Sequence, residues 1–174
     1  MNEQRSGNGG TGGNGEAQAR EQQAAQGPRM SILTQYIKDL SFENPRGPIA
    51  LAQGQQRPEI QVRVDVRAEQ LDAERHEIVL ELNIEAKVPE GPVFLLELTY
   101  GGLFALANIP EDSLQPLLLV ECPRLLFPFA RRIVADLTRD GGFPPLMLDP
   151  IDFVSLYRRR MAQAQAAAAP GGQA

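Results

Sequence analysis

The sequence predicts an α+β fold: a four-stranded antiparallel sheet followed by helices that pack on one of its faces. Two patterns carry this. Apolar residues recur with period two through the first half of the chain and with the helical period near 3.6 through the second. The period-two runs are joined by short polar turns, which suit antiparallel hairpins rather than helical crossovers.

The 174 residues suffice for one domain, and their organisation follows from composition. Residues 1–30 hold seven of the sixteen glycines and no Ile, Leu, Val or aromatic residue, so they are expected to form a disordered Gly/Asn/Gln-rich leader. Residues 162–174 are Ala, Gln, Gly and Pro, a thin flexible tail whose first residues can prolong a helix. The folding unit is therefore expected at 31–161.

A first strand is expected over Leu33 to Phe42, followed by a long Pro-, Gly- and Gln-rich loop from Asn44 to Arg57. From Pro58 on, Ile60, Val62, Val64 and Val66 alternate with Gln61, Arg63, Asp65 and Arg67, which is a half-buried strand. After a polar turn at Glu69 to Arg75, Ile78, Leu80, Leu82, Ile84 and Ala86 alternate with Glu77, Glu81, Asn83 and Glu85. Pro89-Glu90-Gly91-Pro92 is a turn, and beyond it Phe94, Leu96, Leu98 and Tyr100 share one face of a fourth strand.

The period then changes. Asp112 to Val120 predicts a short helix that Cys122-Pro123 breaks or kinks. Leu126, Phe129, Ala130, Ile133, Val134 and Leu137 form one helical stripe, with Arg124, Arg131, Arg132 and Arg139 on the remaining face. Pro128 is expected in an early turn of this helix, and Gly141-Gly142 ends it. A last helix starts with Asp149 as N-cap and Pro150 at its first position and runs through Phe153, Leu156, Tyr157 and Met161.

Charge divides the chain. Lys38 to Glu121 carries 15 acidic and 7 basic residues, a net −8; Cys122 to Arg160 carries 4 and 7, a net +3. The solvent face of the sheet is thus expected to be acidic, suited to a basic partner. A whole-chain charge of −5 speaks against nucleic-acid binding. No run of about 18 apolar residues predicts a membrane span. Leu95 points away from the helices between charged positions, and Tyr100, Phe104 and Leu114 to Leu119 add further apolar area. That excess predicts an obligate oligomer.

The chemistry-bearing residues are few: one Cys and one His. Cys122 has no base nearby, since His76 falls in the polar turn, so it reads as a buried, reduced structural thiol. Gly101-Gly102 lacks the Lys and Ser/Thr of a phosphate loop and reads as a tight strand exit. Glu111-Asp112 is helix-start chemistry. No catalytic constellation, metal site or cofactor site is expected.

Several ordered motifs resemble the SecB family of bacterial protein-export chaperones. They are Lys38-Asp39-Leu40-Ser41-Phe42-Glu43-Asn44-Pro45, Phe94-Leu95-Leu96-Glu97 with Gly101-Gly102-Leu103-Phe104, and Cys122-Pro123-Arg124-Leu125-Leu126-Phe127-Pro128-Phe129-Ala130-Arg131. Gly142-Phe143-Pro144-Pro145-Leu146 and Leu148-Asp149-Pro150-Ile151-Asp152-Phe153 follow in the family's order. The resemblance implies a SecB-like fold assembled as a cytoplasmic homotetramer, a dimer of dimers. It further implies an ATP-independent chaperone that binds unfolded secretory precursor proteins, keeps them translocation-competent and delivers them to the motor SecA.

By the same resemblance, Asp39, Glu43, Leu95 and Glu97 are the SecA-docking positions, and Leu96, Leu98 and Tyr100 belong to oligomer assembly. Ile60, Val62, Val64, Tyr157 and Met161 are candidates for the groove that holds the client. Two departures stand out. Gln56-Arg57 replace the aromatic that family members often place before the Pro-Glu of the second strand. The tail also has no acidic residue, so the sheet is expected to carry more of the SecA docking. Two other readings use the same fold: a chaperone dedicated to a single antitoxin client, and an oligomeric adaptor that docks folded partners through its acidic sheet.

Overall fold

The computed structural model describes residues 27–47 and 57–168. Most of the expected leader, the middle of the long loop and the end of the tail lie outside the described residues. Four strands form one sheet: β1 (Arg29–Glu43), β2 (Glu59–Gln70), β3 (Arg75–Val88) and β4 (Gly91–Ala107). Their order is β1-β4-β3-β2, and every neighbouring pair is antiparallel. The three later strands are consecutive hairpins, while β1 pairs with the far edge of β4.

Local chemistry sets the hairpins. At the β2–β3 turn the Asp72 carboxylate accepts the backbone N–H groups of Glu74 and Arg75 at 3.1 and 2.8 Å and pairs with the Arg75 guanidinium at 2.5 Å. Gly91 opens β4 at φ +131°, a conformation that side chains disfavour.

β1 begins at Arg29, four residues before the expected start. Its alternation was illegible because the pairing slips twice, between Ile32 and Thr34 and between Ile37 and Asp39. The inner-face residues are therefore Ile32, Gln35, Ile37, Leu40 and Phe42, opposite Phe104, Gly102, Tyr100, Leu98 and Leu96. Each bulge adds one residue and reverses the phase of the pleat.

The expected inner face of β3 is fully buried from Ile78 to Ala86, as are Phe94, Leu96 and Leu98 on β4. Gly101-Gly102 is not a strand exit; β4 continues to Ala107. The two glycines serve opposite faces. A Cβ on Gly102 would stand 2.6 Å from the Leu126 side chain, so this position lets the helix layer close onto the sheet. On the other face, Gly101 lies under the ring of Tyr36. His76 also departs from expectation: it is the second residue of β3, buried opposite Phe104 and Gln70, rather than part of the turn.

Three helical elements follow, α1 (Glu111–Pro116), α2 (Cys122–Asp140) and α3 (Phe153–Ala168), with a π-helical turn at Leu117–Glu121 between the first two. Cys122-Pro123 does not break the helix. Proline lacks the N–H that an α-helix directs to the carbonyl four residues back, and its ring crowds that carbonyl. The wider π turn immediately before it accommodates both demands, so α1 and α2 run on without interruption.

Within α2 the expected stripe is buried except at Leu137, which is half-buried, and Phe129, which is 46% exposed. Phe127 is buried in its place and meets Phe153 edge-on, with ring centroids 6.2 Å apart. The helix has a second buried side because the chain returns across it after Gly142. Pro128 falls in the second turn of α2, as expected, on its exposed face.

α3 begins at Phe153, not after Asp149. Asp152 is its cap, accepting the Ser155 N–H at 3.0 Å and the Ser155 hydroxyl at 2.6 Å. The segment before it is held extended by the Leu146 N–H donating to the buried Thr138 hydroxyl at 2.9 Å and by burial of Leu148.

Candidate functional site

β2 is an edge strand, and α3 stands off from it across a groove of ≈ 890 Å³. Val62, Val64 and Val66 of β2 line one side; Leu156 and Tyr157 of α3, Ile151, and Leu119 of the π turn line the rest. Charged side chains, among them Arg63, Asp65, Asp152, Arg159 and Arg160, frame this apolar lining. Val62 is 42% exposed and Ile60 37% exposed, unusual for β-branched residues in a strand with a full core beside it.

Of the five expected groove residues, Val62, Val64 and Tyr157 line this space together. Ile60, two residues before Val62 on the same face, and Met161, one turn beyond Tyr157, are exposed without lining it. Sequence reasoning missed Leu119, Ile151 and Leu156. Leu119 sits in a leucine run where only the phase of the helix separates core from groove, and the π turn sets that phase. Leu118 and Val120 point into the core while Leu119 is half-buried.

The expected docking residues Asp39, Glu43, Leu95 and Glu97 converge on the outer face at one end of the sheet. Glu43 lies opposite Leu95, Ser41 opposite Glu97 and Asp39 opposite Thr99 across the β1–β4 ladder. On the other flank of β4, Glu85 lies opposite Leu95 and Asn83 opposite Glu97. Leu95 is thus bounded by carboxylates on both neighbouring strands and by Glu97 two residues along its own. Among the described residues no ion pair engages Asp39, Glu43, Glu85 or Glu97. Their charge remains available to a partner.

The rest of the outer face is different. Glu77, expected to face solvent, is buried; Lys38 reaches its carboxylate at 2.8 and 3.0 Å, and the Tyr36 hydroxyl donates to it. The hydrogen bond to Glu77, aided by burial, pushes the Tyr36 phenol up to about 12. The hydrogen bonds from Lys38 and then Tyr36 hold the Glu77 carboxyl below its ordinary value. This closed cluster pins β1 across β4 to β3 and so fixes the acidic rungs that begin one residue beyond it.

Leu96 and Leu98, expected at the oligomer interface, are 0% and 1% exposed in the protomer core, with Tyr100 also buried. They face the helix layer rather than an open surface of the protomer. Apolar side chains that remain exposed on the inner face of β1 are Met30, Ile32, Ile37 and Leu40, with Leu125 and Phe129 on α2. Cys122 is buried beside Met30, its Sγ 3.7 Å from the thioether sulfur. Burial, with the adjacent Glu121 carboxylate, pushes its thiol up to about 12.

Among the described residues no group of three His, Cys, Asp or Glu side chains is placed to hold a metal ion. No helix among them is long and apolar enough to cross a membrane.

The family model described as preprotein translocase subunit SecB matches residues 22–164. The chain is 55% identical over 150 residues to the protein-export protein SecB of Maricaulis maris, covering 86% of this chain and 87% of that protein. It is 53% identical over 162 residues to the protein-export protein SecB of Parvibaculum lavamentivorans, covering 93% and 94%. Among solved structures, a SecB-like chaperone of Mycobacterium tuberculosis in complex with an antitoxin peptide superposes with a TM-score of 0.59 at 17% identity, covering 75% of this chain and 95% of that one. At that identity the likeness concerns the fold.

Proposed function

Given that this chain belongs to the SecB family and is a protein-export chaperone, we propose that the groove between β2 and α3 holds its unfolded precursor clients. The observation that carries this reading is an edge strand whose apolar residues Ile60 and Val62 lie open beside an apolar groove. An unfolded chain presents two things a folded one hides: apolar side chains and unpaired backbone. A groove flanked by a strand edge receives both. Engagement of one long client by several protomers adds avidity without tight single contacts. Folding competes with capture, so slowly folding precursors are held and rapid folders escape.

Delivery to SecA runs through Asp39, Glu43, Leu95 and Glu97. A leucine ringed by unengaged carboxylates suits a partner that offers an apolar contact within a basic surround. The protomers assemble as a homotetramer, a dimer of dimers, in the cytoplasm. The exposed apolar residues of β1 and α2 supply contact area, and Leu96, Leu98 and Tyr100 hold that surface in shape from beneath. The activity is binding and release, with no cofactor and no chemistry on the client.

The test is a competition between the unfolded and native forms of one slow-folding secretory precursor, read as complex mass in solution. A tetramer-sized species that takes up only the unfolded form is expected. Capture of the native form alone would instead favour the adaptor reading. Indifference to precursors, with protection of a single unstable antitoxin, would favour the dedicated chaperone.

A further inference from the structure

We infer that Asp65 and Arg160 form a clasp that closes the β2 edge at Val66 and so limits how far an extended client segment can pair with this strand. The inference rests on the groove reading and adds a boundary to it. In a strand the N–H and C=O of one residue point to the same side, and those of the next residue point to the other. At Val66 neither group is turned toward β3: the N–H donates to the Asp65 carboxylate at 2.9 Å, and the C=O accepts from the Arg160 guanidinium of α3. Arg160 and Asp65 are themselves 3.8 Å apart.

By alternation, Ile60, Val62, Val64 and Ala68 direct their backbone groups to the same open edge, and among the described residues no other strand pairs with it. Val62 and Val64 among them also carry apolar side chains of the groove, and Ile60 lies beside it on the same face. The edge that accepts a backbone is therefore the edge that accepts apolar side chains, and it has two ends. Pro58, in the same phase just before β2, has no N–H to offer. At the other end, Val66 has both of its groups engaged by side chains. Ile60, Val62 and Val64 are left as a window of three residues whose edge-facing groups remain open to a client. Charged side chains that occupy an edge also keep it from zipping onto another sheet, which in an oligomer of identical edges guards against self-association. A short window gives each client segment few backbone bonds, so each segment leaves readily.

The experiment is residue-resolved amide hydrogen exchange on the full-length protein, with and without a reduced, carboxymethylated, permanently unfolded protein as client. Wild type, Arg160→Gln and Asp65→Ala are compared. Both side chains are more than half exposed, at 53% and 62%, and unchanged protection of the β3 amides without client verifies that the variants keep the fold. In wild type the client should protect the amides of Ile60, Val62 and Val64 but not that of Ala68. In both variants protection should spread to Ala68, and client affinity should rise about fivefold, the worth of roughly one added backbone hydrogen bond. Client-induced protection that stays confined to the three window residues in the variants, or weaker binding by them, would overturn the clasp while leaving the groove intact. A wild type that binds the client without protecting any β2 amide would overturn both.

Discussion

The ring of Tyr36 lies across Gly101, so close that a β-carbon at Gly101 would stand 2.8 Å from two of the ring carbons. Through this contact β1 reaches over β4 and bonds Glu77 on β3. The cluster ends where the acidic patch begins, since Lys38 lies in the bulge immediately before Asp39. A packing device on one half of the outer face thereby sets the rung positions of the candidate docking residues on the other.

Gly101→Ala tests that contact. Alanine suits a strand better than glycine by ~0.5–1 kcal/mol, but forcing the Tyr36 ring aside costs ~1–3 kcal/mol. A lower urea midpoint is expected, together with weaker SecA binding as the β1 rungs shift. An unchanged midpoint would mean that the ring has a free alternative position.

Acid should act through Glu77. Its folded value lies below the ordinary 4.5, so its contribution is present above that value and is lost as pH falls through 4.5 toward the folded value. Urea unfolding at stepped pH should therefore show a steeper acid loss in wild type than in Glu77→Gln. Parallel curves would remove Glu77 from the acid response.

Cys122 should be silent in the native state. With its thiol pushed up to about 12 and the residue buried, thiol reagents near neutral pH should label it only on unfolding. Cys122→Ala should hold clients as wild type does. A folded but inactive Cys122→Ala protein would reopen a functional role for the thiol.

Glu97→Lys should loosen SecA by roughly threefold or more at low salt, with the difference shrinking as salt screens the exposed patch. Client capture, which we propose uses the far edge strand, should persist. Equal SecA affinity across salt would remove Glu97 from the docking surface.

The strands β2, β3 and β4 were legible because each keeps an unbroken alternation through its apolar run, the one slip among them falling after Ala86, and the acidic outer rungs followed once the strand faces were known. β1 was not, since two bulges hide its alternation, and Gly101-Gly102 looked like an exit because its two tight contacts come from residues 65 positions upstream and 24 downstream. Asp149-Pro150 carries good start chemistry, yet burial of Leu148 and Phe153 and the Thr138 anchor delay the helix to the Asp152 cap. Phe127 and Phe129 are alike in composition, and their exchange of places depends on what returns across α2. Of the candidate groove, Val62, Val64 and Tyr157 were found from sequence, while Leu119 depended on the π turn.

By itself the sequence determined the α+β class, the charge division between sheet and helices, and the family to which the chain belongs. Each of these depends on residue types and short spacings that survive without coordinates. Tertiary structure decided which apolar residues are core and which are surface: Leu96 and Leu98 went inside, while Ile37, Leu40 and Phe129 stayed out. It also joined Asp65, Val66 and Arg160, which are 94 residues apart at their widest hydrogen bond. Periodicity tells which residues share a face, but only packing tells what covers that face, because cover is supplied by segments distant in the chain.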